Sequence, residues 1–156
     1  MYEESMADPI REFMHNQGYV IYDQIPYFQG KIDFVGIKNE ECIIIESKVS
    51  KWKDAIKQAI NYGKGADCSY VALPKSTAYY CYKNHKKIFD ESLVGLLSVE
   101  STDNNVEILI KPLKKKHSLV MHKYLIATIN IRKELRDKRV LNFKSKINTI
   151  KKADSE

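Results

Sequence analysis

Three polar residues stand where the surrounding pattern asks for apolar ones. Asp33 interrupts Ile32-Asp33-Phe34-Val35, and Glu46 and Lys48 close the run Ile43-Ile44-Ile45. Alternation along an extended strand sends Glu46 and Lys48 to one face, roughly 7 Å apart. If the two segments pair as a hairpin, Asp33 arrives on the neighbouring strand and its carboxylate converges on theirs. Two carboxylates cannot comfortably ionise side by side at a sheet end unless a cation or an ammonium lies between them. Magnesium suits that place, with manganese as its substitute: it is a hard ion that prefers oxygen ligands and keeps several waters. A nearby lysine ammonium orients or deprotonates a water, or stabilises charge on a phosphate in transit. Hydrolysis of a phosphodiester is the chemistry that needs such a set. A plain strand-end ion pair uses the same residue types and is worth little when exposed.

The segment that follows adds to the set. Lys51 to Tyr62 is predicted helical, with Trp52, Ile56, Ala59 and Ile60 as its buried stripe. Gln58 and Tyr62, four residues apart, lie one above the other, and with Lys51 and Ala55 they form a second stripe. Coming directly after Lys48, this helix is expected to cover the sheet end that carries the carboxylates. Gln58 would then reach the lysine, a metal-bound water or a phosphate.

The remaining elements are those that must hold these residues in place. Asp8-Pro9 opens a helix that ends at Gln17-Gly18, with Ile10, Phe13 and Met14 on one face. Tyr19 to Ile25 is predicted as a strand stopped by Pro26. Lys31 to Lys38 and Cys42 to Lys48 follow as a hairpin around Asn39-Glu40-Glu41. After the helix and Gly63 and Gly65 come a strand at Ser69 to Leu73 and a helix at Ser76 to Phe89. A hairpin from Leu96 to Glu100 and Val106 to Ile110 is followed by a long helix from Ser118 to about Arg139. The order α-β-β-β-α-β-α-β-β-α predicts an α/β sandwich around a mixed sheet, with one right-handed βαβ unit.

Together these pieces resemble the PD-(D/E)xK nuclease superfamily, the fold of many restriction endonucleases and archaeal Holliday-junction resolvases. Ile32-Asp33, twelve intervening residues and Glu46-Ser47-Lys48 carry the signature, and no other Asp or Glu has a lysine two positions later. Gly30-Lys31-Ile32-Asp33 followed by Gln58-Ala59-Ile60-Asn61-Tyr62 is similar to the extra motifs of the RecB-like branch. The resemblance covers about residues 3–74 and departs from the family at Ile32, which replaces the literal proline. It implies a restriction-endonuclease-like αβββαβ core with a mixed sheet flanked by helices, here followed by a hairpin and a long basic helix. It implies Asp33 and Glu46 as metal ligands, Lys48 as the catalytic lysine, and Gln58 and Tyr62 in support of the site or the DNA backbone. An acid on the first helix joins the metal in many members. Glu3, Glu4 and Glu12 compete for that role, with Glu4 favoured. Residues 1–139 are read as a single nuclease-like domain and 140–156 as a basic arm or short helix.

Charge is unevenly spread. The net is +6, yet residues 111–152 hold 14 Lys/Arg against only Glu134 and Asp137, while residues 1–110 are net acidic. Lysine outnumbers arginine 22 to 4, a composition that suits phosphate backbone rather than base edges. Lys51, Lys114, Lys115, Lys116, Lys133, Arg136 and Arg139 are therefore expected to bind double-stranded or branched DNA, and about six to ten such contacts give strong, salt-sensitive binding. Tyr79, Tyr80 and Tyr82 are candidates for base stacking. A non-catalytic nucleic-acid-binding protein is the alternative, either a degenerate nuclease fold or a winged helix whose wing is the hairpin 96–110.

Composition excludes several other classes. With 156 residues, 44% of them hydrophobic, the chain has the size and composition of one globular domain. Three cysteines without a Cys-x-x-Cys pair exclude a disulfide framework or an iron–sulfur cage. His117 and His122, five apart, align poorly on a helix and are set aside as metal ligands. No apolar run is long enough to cross a bilayer, and Glu3 and Glu4 stand where a signal peptide needs cations, so a cytoplasmic protein without membrane contact is expected. The apolar stretch from Leu119 to Ile131 is the candidate interface for a homodimer.

Overall fold

Ile43, Ile44 and Ile45 are all buried because their strand has neighbours on both sides and helices over both faces. The computed structural model describes residues 2–155. A 3-10 turn (Glu3–Met6) leads into α1 (Ala7–Asn16). Three strands follow, β1 (Val20–Tyr27), β2 (Gly30–Lys38) and β3 (Glu41–Ser47). Then come α2 (Trp52–Tyr62), a 3-10 turn (Gly63–Gly65), β4 (Cys68–Pro74) and α3 (Lys75–Ser92). β5 (Gly95–Glu100), β6 (Asn105–Ile110) and α4 (Leu119–Ser155) complete the chain. The sheet runs β1-β2-β3-β4-β5-β6. It is antiparallel through β3, parallel through β5 and antiparallel again at β6. The crossover helices α2 and α3 make the two parallel steps possible.

Each face is covered by the stripe that its helices present. On one side Met6, Ile10 and Met14 pack on Phe34, Ile43, Ile45, Leu97 and Val99. On the other, Ala55, Ile56 and Ala59 of α2 and Ala78 and Phe89 of α3 meet Val71, Leu73 and Leu96. Beside them Leu125 and Ile129 of α4 close over Tyr22, Ile25, Val35 and Ile44. Gly65 permits this closure, because a Cβ there would stand 2.8 Å from the Met121 backbone.

Some expectations are corrected. Pro26 lies inside β1, opposite Lys31; β1 is a sheet edge, where a missing N–H costs no ladder bond. On α2, Ala55 is buried and Ile60 is exposed, so the two stripes are rotated from the expected ones. The hairpin of β5 and β6 belongs to the central sheet through β4 and is no free wing. The last helix does not stop at Arg139 but continues to Ser155, so residues 140–155 are neither a separate arm nor a short helix. Leu125 and Ile129 are spent on the chain's own core, which leaves Leu119, Val120, Tyr124 and Ile131 as the exposed large apolar residues of the expected dimer stretch. Among the described residues no helix is long and apolar enough to cross a membrane.

Candidate active site

The site is built where the pleat breaks. Tyr22, Ile25 and Tyr27 of β1, and Ile32 and Val35 of β2, all join one core cluster, which strict two-residue alternation forbids. The reset falls at Gln24, whose φ is 51°. Its position opposite Asp33 drops out of a ladder that is otherwise in register on both sides. Arg132 of α4 holds this irregularity, donating to the carbonyls of Asp23 (2.9 Å) and Gln24 (3.2 Å).

At the same level β2 parts from β3, their pairing ending at Phe34 opposite Ile45. Side chains replace the missing backbone bonds. The Asp33 N–H donates to Glu46 Oε1 at 3.1 Å. The Ser47 N–H donates to Asp33 Oδ2 at 2.9 Å, with the Ser47 hydroxyl 3.4 Å away. The two acids therefore hold the fork together, each accepting from the other's strand.

Burial divides their roles. Glu46 is 1% exposed, and its carboxyl is pushed up to about 9, first by burial and next by the charge of Asp33. The Asp33 N–H and Lys48 pull the other way without prevailing. At neutral pH, with no added cation, Glu46 is protonated. Asp33 instead lines a cleft of about 540 Å³ together with Glu3, Glu4, Arg11, Gln24 and Ser47, and Gln24 Nε2 reaches its Oδ1 at 3.5 Å.

Lys48 sits just past β3, with Nζ 3.9 Å from Glu3 Oε1. Glu3 is thus the acid that meets the lysine. The favoured Glu4 lines the cleft but does not complete a metal set: among the described residues no three His, Cys, Asp or Glu groups are gathered closely enough to hold an ion. Glu12 lies elsewhere, accepting from Asn104 at 3.1 Å. Arg11 was not anticipated. Its Nε donates to Asp23 Oδ2 at 2.6 Å, its Nη2 meets the same oxygen, and its Nη1 reaches Asp8 at 3.0 Å. A lone arginine on an amphipathic helix has no spacing signature, and neither does Arg132, a hundred residues downstream of the loop that it braces.

Gly30 and Tyr62, one from each accessory motif, meet each other. A Cβ on Gly30 would lie 2.1 Å from Tyr62 Oη, and the Tyr62 ring stands edge-on to Tyr27 at 5.7 Å. Glycine at position 30 and tyrosine at position 62 are one packing unit that ties the β1–β2 tip to α2. Gly30→Ala is expected to cost about 1–3 kcal/mol by overpacking, with Tyr62→Phe recovering part of it, as read by urea denaturation. Gln58 is half-buried and makes no hydrogen bond among the described residues, so the expected amide contact with the site is absent. Lys51 stands exposed at the start of α2.

The basic residues fall elsewhere than expected. Lys114 and Lys133 line a second cavity, of about 630 Å³, beside Glu41. Glu41 begins β3, whereas Glu46 and Ser47 end it, so the two sites are about 20 Å apart along the strand. Lys114, Lys115 and Lys116 belong to the connector before α4, not to its first turn. Lys115 reaches Ser69 Oγ at 3.3 Å, and its burial lowers its pKa. Arg136 lies 5.0 Å over the Tyr22 ring, while Lys116 and Arg139 are exposed. None of these side chains lines the acid cleft, because the first half of α4 is used to cover the sheet. Tyr79, Tyr80 and Tyr82 are partly exposed on α3, with Tyr79 donating to Glu107 at 2.6 Å. His117 and His122, despite their spacing, stack at 4.1 Å.

No family model matches the chain, and no curated protein matches it. Solved structures do. The SPO1766 protein of unknown function from Silicibacter pomeroyi superposes with a TM-score of 0.67 at 17% identity, over 90% of this chain and 91% of the other. An fdxN element excision controlling factor protein from Anabaena variabilis gives 0.53 at 19% identity, over 68% and 98%. An XisH family protein from Nostoc punctiforme gives 0.52 at 18% identity, over 66% and 96%. At these identities the likeness is one of fold, and this chain's six-stranded mixed sheet flanked by helices, with its long last helix, is consistent with the restriction-endonuclease-like kind.

Proposed function

We propose that the protein is a magnesium-dependent nuclease that hydrolyses phosphodiester bonds in DNA. One observation carries this reading: Asp33 and Glu46 are clasped at the strand fork, each accepting an N–H from the other's strand, with Glu46 buried beside the Asp33 charge. That donor set is all oxygen and short of positive charge, so it fits a small hard divalent ion with waters or a phosphate completing its shell. Asp33 and Glu46 would hold the ion. When bound, it would supply charge stabilisation at the phosphate and acidify a coordinated water.

The chain's own residues do the rest. The Ser47 N–H orients the Asp33 carboxylate, and the Asp33 N–H orients that of Glu46, so both are set before substrate arrives. Lys48, partly exposed and held by Glu3 at 3.9 Å, is free to exchange that contact for a phosphate oxygen. Arg11, on the cleft wall, adds a planar cation suited to the DNA backbone. A metal-titrated assay on linear, supercoiled and four-way-junction DNA tests the reading. Cleavage that rises with Mg²⁺ and vanishes in EDTA is expected. Salt-sensitive binding with no nicking of any substrate would replace it with the non-catalytic reading, which the distance between the basic residues and the cleft favours.

A further inference from the structure

Helix α4 outruns the body on which it packs. Its 37 residues span about 55 Å at 1.5 Å per residue. Its inner face is marked by contacts. Leu125 and Ile129 are buried in the core, Arg132 bonds the β1 carbonyls, and Arg136 covers Tyr22. From Asp137 to Ala153 the side chains are exposed apart from the half-buried Ile147, yet the same face stays apolar. Phe143 follows Leu125 by eighteen residues, five whole turns, and so points the same way. Val140, Phe143, Ile147 and Ile150 follow one another at the intervals of three, four and three residues expected for one stripe, and Phe143 and Ile150 are more than 60% exposed. Arg139 and Lys146 flank the stripe on one side and Lys144 and Lys151 on the other. No Asp or Glu occurs between Asp137 and Asp154.

We propose that this overhang docks an acidic amphipathic helix of a partner protein, whose apolar face covers the Val140–Ile150 stripe and whose carboxylates meet the flanking cations. Charge and shape both select that occupant. A phosphate backbone would satisfy the lysines and leave the apolar stripe in water. A second copy of α4 would set basic flanks against basic flanks, and like charges across a helix pair oppose association. A flat bilayer cannot lie along this face, because the body stands on the same side of the helix. A single helix can instead lie along the overhang with its apolar face on the stripe, in the helix-in-groove manner.

Two synthetic helices about four heptads long, both with leucine along one face, one flanked by glutamate and the other by lysine, are titrated against the full chain by fluorescence anisotropy. The glutamate-flanked peptide is expected to bind, more weakly as salt rises. Its affinity should fall at least about tenfold in the double variant Phe143→Asp, Ile147→Asp, whose thermal midpoint should be unchanged because both positions lie off the body. Phe143→Ala with Ile147→Ala serves as a milder pair. Equal binding of the two peptides, or binding indifferent to the substitutions, would overturn the proposal. So would a concentration-dependent dimer of the chain alone, or duplex-DNA or anionic-vesicle binding, that is lost in the same double variant.

Discussion

Lys48→Ala is expected to reduce Mg²⁺-dependent DNA cleavage by about 10²–10⁴-fold, the range for loss of one positioned charged group at a reacting centre. Retention of DNA in a gel shift should change little. The lysine lies beyond the end of β3, partly exposed, with Glu3 as its ion-pair partner at 3.9 Å, so its removal leaves no buried orphan. Asp33 needs a gentler change, because its Oδ2 accepts the Ser47 N–H that holds the fork. Asp33→Asn keeps an oxygen for that bond and removes the charge. It should therefore lose cleavage to the same degree while unfolding near the wild-type midpoint. Lys48→Arg should not rescue, since a planar fork and a compact ammonium present different donors. Wild-type rates in both variants, or cleavage that persists in EDTA, would sink the assignment.

The second large effect concerns Glu46 and is read without substrate. Its carboxyl titrates near 4.5 when unfolded and at about 9 in the fold, raised by burial and by Asp33. Below about pH 4.5 the group is neutral in both states and contributes no pH dependence. Between about 4.5 and 9 the unfolded chain releases the proton and the folded chain keeps it, so stability falls as pH rises, by up to about 1.4 kcal/mol per pH unit. Above about 9 both states are ionised and the fall ends. Glu46→Gln keeps an acceptor for the Asp33 N–H and cannot ionise. The metal-free variant should therefore be more stable than wild type at pH 8, with the difference shrinking toward pH 5, measured by denaturant titration in EDTA. Added Mg²⁺ should raise the wild-type thermal midpoint and leave that of the variant nearly unmoved. A variant that is less stable at every pH would show that the Glu46 carboxylate is satisfied as an anion.

Much of this was legible in the chain because it is local. Periodicity placed all ten helices and strands in order, since which residues share a face depends only on spacing. Polar residues inside apolar strands pointed to Asp33 and Glu46, because burying a carboxyl needs a reason. The link from Gly30 to Tyr62 was visible only as two motifs. That one fills the space left by the other is a fact of packing. Gln58 shows the converse: the helix assignment was correct, yet the residue is half-buried and makes no hydrogen bond to either acid among the described residues.

What the amino-acid order determined by itself is the sheet, its covering helices and the two acids with a lysine beside them, all consequences of near-neighbour patterning. Only the tertiary structure decided that Glu3 meets Lys48, that Arg11 and Arg132 brace the cleft, and that the lysines of the α4 segment lie away from it. Those pairings join residues many positions apart, and their geometry depends on how far β1 and β2 bend at Gln24 and on where α4 crosses them. Spacing along the chain carries no record of either.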